Sequence, residues 1–90
     1  MKQFRWNKDK NKLLQQKRNI SFEDVLKAFD QGNVLDNIDH PNRNKFPNQK
    51  LFIVLINNYI CAVPYVETEK EIFLKTIYLS RKYKNKYEKT

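Results

Sequence analysis

The chain has 90 residues and a mass of 11.0 kDa, with 40% hydrophobic and 13% aromatic residues but only one Gly and three Pro. That is room for one domain around one modest core, with too much packable surface for a disordered tail and too little turn chemistry for a loop-rich scaffold. Eighteen Lys and Arg against ten Asp and Glu leave a net charge of +8, which favours polyanions over neutral partners.

Residues 1–18 carry a net charge of +6, residues 19–40 carry −4, residues 41–70 carry +2 and residues 71–90 carry +4, so two basic ends flank an acidic segment. Fourteen of the basic residues are Lys, and a merely well-hydrated surface is the competing explanation of the charge. The single cysteine, Cys61, can form no intramolecular disulfide and no cysteine-based zinc site, which suits a reducing compartment. Residues 1–30 hold no apolar run of the signal-peptide kind. The longest apolar stretch, residues 51–56, is far short of the roughly 20 residues of a membrane helix. A cytoplasmic protein without membrane association is expected.

In chain order, residues 4–6 predict a short edge strand leading into a helix over 9–18, with Leu13 and Leu14 as a narrow apolar stripe. Ser21 is the expected N-cap of a second helix: Glu23 and Asp24 occupy its first turn, and Phe22, Val25, Leu26 and Phe29 follow helical spacing until Gly32 stops it. Ile20 before the cap can staple onto Val25, making the pair a helical hairpin. Residues 33–39 read as a short strand or turn, and residues 39–50, DHPNRNKFPNQK, as a long loop. Residues 51–56 form a β-rich run, Asn57 and Asn58 a tight turn, and residues 59–66 the returning strand, in which Pro64 demands a bulge or an unpaired edge. A turn at 67–70 leads to a third strand over 72–79, and residues 80–87 are basic and helix-compatible with Ser80 as cap. The order α-α-β-β-β-α is that of an α+β domain.

Several residues carry chemistry. On the third strand, alternation places Phe73, Lys75, Ile77 and Leu79 on one side, which makes Lys75 a lone cation in an apolar row; snorkelling or pairing with Glu67 or Glu69 competes with service to an anionic ligand. His40, the only histidine, lies in the long loop near Arg43, Lys45 and Lys50, and is either a solvated turn residue before Pro41 or a general acid or base. Tyr65, Tyr78, Tyr83, Tyr87 and Phe46 lie in or beside basic segments, as rings that stack on unpaired RNA bases do; Tyr65 and Tyr78 are the candidate base contacts, and the others are core or hinge residues. With one Gly there is no phosphate-binding loop, no nucleophile elbow and no evident carboxylate pair, so nucleotide-binding, kinase, hydrolase and glycosidase chemistry are set aside. No metal site and no cofactor are expected.

Three segments, Phe4-x-Trp6-Asn7-x-x-Lys10-Asn11, Ile20-Ser21-Phe22-Glu23-Asp24-Val25 with Phe29 following, and Ser80-Arg81-Lys82, give the chain a resemblance that runs nearly end to end. It resembles the BrnT-like toxins of bacterial type II toxin–antitoxin pairs. The resemblance implies a RelE-like fold: two N-terminal helices packed on a three- to four-stranded antiparallel sheet, here with a short C-terminal helix. It also implies an RNA substrate, a cognate DNA-binding antitoxin, and contact with DNA only through the antitoxin complex. Arg81 and Lys82 carry over residue by residue. The family's Asp-Arg pair and Gly-Glu-Arg stretch give way to residues 40–50, and Tyr83 replaces the usual Ala.

The activity implied is metal-independent endoribonuclease cleavage, which needs proton transfer at the ribose 2′-hydroxyl and the leaving 5′-oxygen and cations at the phosphate. His40 or Lys50 would transfer the protons, Lys75 and Arg81 would stabilise the phosphate charge, and Arg43, Lys45 and Lys82 would hold the RNA backbone. Two alternatives stand beside it. One is a non-catalytic nucleic-acid-binding module, the other an interaction protein whose basic face is covered by an acidic protein.

Overall fold

The computed structural model describes residues 2–80. A first strand, β1 (Gln3–Trp6), turns Phe4 and Trp6 inward and runs into α1 (Lys8–Arg18) through Asn7, whose side chain caps the helix by accepting from the Lys10 amide. Asn19 ends α1 in the left-handed conformation, φ 55°. α2 (Phe22–Asp30) begins with a capping box, in which the Ser21 hydroxyl accepts from the Asp24 amide and the Asp24 carboxylate accepts from the Ser21 amide. Phe22, Val25 and Ala28 point inward, and Ile20 joins them in the core as the expected staple. Gly32, at φ 72°, lets the chain leave the helix.

One buried side chain locks the helices together. Asn11 of α1 is 8% exposed; its Oδ1 accepts from the Phe22 amide and its Nδ2 donates to Glu23 Oε1, both at 2.8 Å. One of the orphan amides of the α2 N-terminus, that of Phe22, is thus satisfied by α1.

The remaining strands are β2 (Val34–Asp39), β3 (Lys50–Ile56), β4 (Tyr59–Glu67), β5 (Glu71–Leu74) and β6 (Tyr78–Leu79). β3 and β4 form the central hairpin, closed by Asn57 and Asn58 with φ of 51° and 68°, the two left-handed residues of a type I′ turn. β2 lies antiparallel outside β3, with an extra residue, Leu35, between its two registers. On the other side β4 is shared: β5 pairs with its later half, β6 with its earlier half, and β1 lies parallel outside β5.

Pro64 explains the division of the third strand. It has no N–H, and the ladder beside it is interrupted: Tyr65 faces Leu74, but Ala62 faces Tyr78, so the segment 75–77 holds one residue more than the segment opposite. The Lys75 amide still donates to the Pro64 carbonyl at 2.8 Å, and Arg18 reaches over from α1 to donate to the Ile77 carbonyl at 2.9 Å. The extra residue reverses the alternation. Leu74 and Ile77, three apart, both belong to the core under the helices, while Phe73 and Lys75 lie on the far face.

These features correct the expected architecture. The fold is α+β with two N-terminal helices, but the sheet has six strands instead of three or four and is mixed instead of antiparallel. Its strand order departs from the simple RelE-like meander because β1 enters as a parallel edge strand, residues 33–39 contribute a full strand, and the third strand is split. The C-terminal helix expected over 80–87 falls, from residue 81 on, outside the described residues.

Two apolar layers hold the sheet. Under the helices, Phe52, Val54, Cys61, Val63, Tyr65, Leu74 and Ile77 pack against Leu14, Phe22, Val25 and Ala28. Rings join across this layer, with Phe29 against both Phe4 and Phe52, and Phe52 stacked on Tyr65 at 3.9 Å. On the far face Leu51, Ile53, Ile60 and Ala62 form a second cluster with Ile38, Leu55 and Tyr78. No helix among the described residues is long and apolar enough to cross a membrane.

Asn11→Ala is expected to lower the unfolding free energy by about 1–3 kcal/mol in urea titrations, because it strands the buried Phe22 amide. The Asn11 bond is also the main reason that the Glu23 carboxyl lies below its ordinary value. That contribution to stability is present above the ordinary carboxylate range and lost as the pH falls through the lowered folded value, so the variant's stability should fall less steeply in acid.

Candidate nucleic-acid interface

The ladders align residues in transverse rows. Asp39, Lys50, Tyr65, Leu74 and Trp6 are successive partners across five strands, and Tyr65, Leu74 and Trp6 place that row on the helix side. One level further along, Val66, Phe73 and Arg5 are partners, and His40 extends β2 to the same level by donating its amide to the Gln49 carbonyl at 3.1 Å. Alternation turns this second row to the far face.

The loop over 40–49 is a built structure. Besides the His40 to Gln49 closure, the Phe46 amide donates to the Asn42 carbonyl, the Gln49 amide to the Phe46 carbonyl and the Lys45 amide to Asn42 Oδ1. The Asn42 amide donates to His40 Nδ1 at 3.0 Å. In that bond the ring accepts through Nδ1, which leaves Nε2 as its other nitrogen for a ligand. Phe46 sits between two partners, the His40 ring with centroids 4.5 Å apart and Lys45 Nζ 5.4 Å from its own centroid. Arg43, with its side chain 73% exposed, approaches Asp39 at 3.9 Å, a surface ion pair of little strength that an incoming phosphate can displace.

A second group of the same kind stands at β5. Lys75 Nζ lies 5.3 Å from the Phe73 ring centroid, and Arg5 is the cross-strand partner of Phe73 and pairs loosely with Glu71 at 3.5 Å. His40 and Phe73 are separated by three strand spacings, roughly 14 Å. This end of the sheet thus carries two aromatic rings with cations beside them, Phe73 on the strand ladder and Phe46 in the loop that joins β2 to β3. Together they can hold phosphates a few nucleotides apart on one strand while offering flat surfaces to unpaired bases.

The expected site residues divide among several places. His40, Arg43 and Lys45 come together in the loop. Lys75 shares the face of His40 but stands across the sheet, beside the Phe73 ring. Lys50 belongs to the helix-side row, between Asp39 and Tyr65, and does not join His40. Tyr65 is 1% exposed, with its ring stacked on Phe52 and its hydroxyl donating to Asn37 Oδ1 at 2.7 Å, so it is a core residue with no face left for a base. Burial raises its phenol above the ordinary value. Tyr78 is half-buried against the far-face cluster. Arg81 and Lys82 lie outside the described residues.

Arg5 and Phe73 were missed by the sequence reading. The Phe73 and Lys75 spacing was visible, but the parallel pairing that brings Arg5 beside them was not. Cys61 is fully buried, and burial pushes its thiol up to about 11, so it offers no thiolate nucleophile. No group of three or more His, Cys, Asp or Glu placed to hold a metal occurs among the described residues.

No family model matches the sequence, and neither does any curated protein or solved structure.

Tyr65→Phe separates the core role from base contact. It should cost about 1 kcal/mol of stability through the lost hydroxyl bond and leave the affinity for a single-stranded oligoribonucleotide unchanged in fluorescence anisotropy.

Proposed function

We propose that this protein is a metal-independent endoribonuclease of the toxin kind, which binds single-stranded RNA across the far face of its sheet and cleaves it there. The observation that carries this proposal is the pair of cation-flanked rings, Phe46 with His40 and Lys45, and Phe73 with Lys75 and Arg5, at one end of the sheet. RNA phosphates crossing this end meet Arg5, Arg43, Lys45 and Lys75, and bases stack on the two rings. His40 is the proton-transfer group: its neutral ring takes the 2′-hydroxyl proton as the 2′-oxygen bonds to phosphorus, and the imidazolium so formed gives a proton to the leaving 5′-oxygen as the P–O5′ bond breaks, with Arg43 and Lys45 stabilising charge on the phosphate. Arg81 and Lys82 enter on the resemblance to BrnT-like toxins alone. On the same ground the protein acts in the cytoplasm, is held in check by a cognate DNA-binding antitoxin, and meets DNA only within that complex.

The second reading, an RNA-binding protein without catalysis, is favoured by one feature: Lys50, the other expected proton-transfer group, faces the helix side, away from His40.

Incubating the purified protein with RNA in EDTA decides between them. Discrete cleavage that is lost in His40→Ala, with the RNA still bound, supports the nuclease. Intact RNA under tight binding supports the second reading, and a requirement for added metal contradicts the mechanism. Under either reading, Lys75→Ala should reduce the slope of log affinity against log salt by about 0.7, the value for one phosphate contact on a single strand.

A further inference from the structure

At the opposite end of the sheet, α1 stops before the helix-side face is fully covered. Tyr59 is the ladder partner of Ile56, and Leu79 that of Cys61; both partners belong to the helix-side core. Tyr59 and Leu79 therefore face the same side, yet they are 56% and 51% exposed, the most exposed of the large hydrophobic residues described. With Lys17, Arg18, Ile20 and Asn57 they line an open groove of about 720 Å³. Arg18 is positioned by its bond to the Ile77 carbonyl, which uses one of its five N–H donors.

We infer that this groove docks an acidic segment of a protein partner, which inserts an apolar side chain between Tyr59 and Leu79 and sets carboxylates against Lys17 and Arg18. Charge complementarity carries the choice of partner. Two cations close the α1 end of the groove, and none of its described lining residues is acidic. The apolar surface selects protein over RNA. It is a cleft between Tyr59 and Leu79 with the buried Ile20 at its base, where a stacked base needs a flat platform and a Leu, Ile or Met side chain needs a cleft. Tyr and Arg are also among the residues enriched at the anchoring positions of protein interfaces. The groove stands independently of the RNA proposal. It lies roughly 20 Å along β4 from the row of Val66 and Phe73, so a segment seated in it leaves the cation-flanked rings uncovered.

The test is an NMR titration of isotope-labelled full-length protein with three probes: a synthetic peptide of Glu-Glu-Leu repeats, one of Glu-Glu-Ser repeats, and an oligouridylate. The Glu-Glu-Leu peptide should shift the Tyr59 and Leu79 signals saturably, and Tyr59→Ser and Leu79→Ser, made separately at exposed positions, should each weaken it about tenfold. Absence of saturable shifts at these residues overturns the proposal. Equal binding of the Glu-Glu-Ser peptide overturns the apolar anchor, and oligouridylate shifting the same signals reassigns the groove to RNA.

Discussion

A proline in the middle of the central strand governs the geometry of this protein. Pro64 offers β4 an acceptor without a donor, and the neighbouring chain answers by breaking after Leu74 and resuming one residue out of step at Tyr78. That single extra residue decides which side chains face where. Ile77 turns under the helices and Lys75 turns away from them, and the carbonyl of Ile77 becomes free to take Arg18 from the end of α1. The break therefore ties the helical layer to the sheet edge while leaving the cation of that edge exposed on the far face. An uninterrupted ladder continuing from Leu74 would turn Ile77 to the far face beside Lys75 and take it out of the core under the helices.

Much of this was legible in the sequence, and the failures have physical causes. The N-cap at Ser21, the apolar spacing of α2, the turn at Asn57 and Asn58 and the need for an irregularity at Pro64 are local rules, and the structure obeys them. What was not legible is non-local. The partner of β1 is 68 residues away in the chain, as the pairing of Gln3 with Glu71 shows, and nothing in four residues of alternating sequence specifies parallel pairing with β5. The strict alternation assumed for residues 72–79 failed because a bulge shifts the phase of everything after it. At the site, the basic character of the 40–50 loop was visible, whereas the burial of Tyr65 depends on Phe52 and Asn37, which only the folded sheet brings to it.

The two faces of the sheet have distinct electrostatic roles. On the helix side, ionisable groups are drawn into structure: Glu23 caps toward Asn11, Asp24 closes the capping box, and the Tyr65 phenol and the Cys61 thiol stay protonated through burial. At the loop end of the sheet, Arg5, Lys45 and Lys75 of the far face and Arg43 at its edge make only exposed ion pairs or ring contacts, interactions too weak to hold them against a polyanion.

The central claim is that RNA crosses the far face at the level of His40, Phe73 and Arg5. The most direct measurement is photo-crosslinking of the full-length protein to a 4-thiouridine oligoribonucleotide, with the attachment points mapped by mass spectrometry. The account predicts adducts at Phe46 and Phe73 or their immediate neighbours, competed away by unlabelled RNA. Competed adducts confined to residues around Tyr59 and Leu79, or on the outer surface of α1, would contradict it.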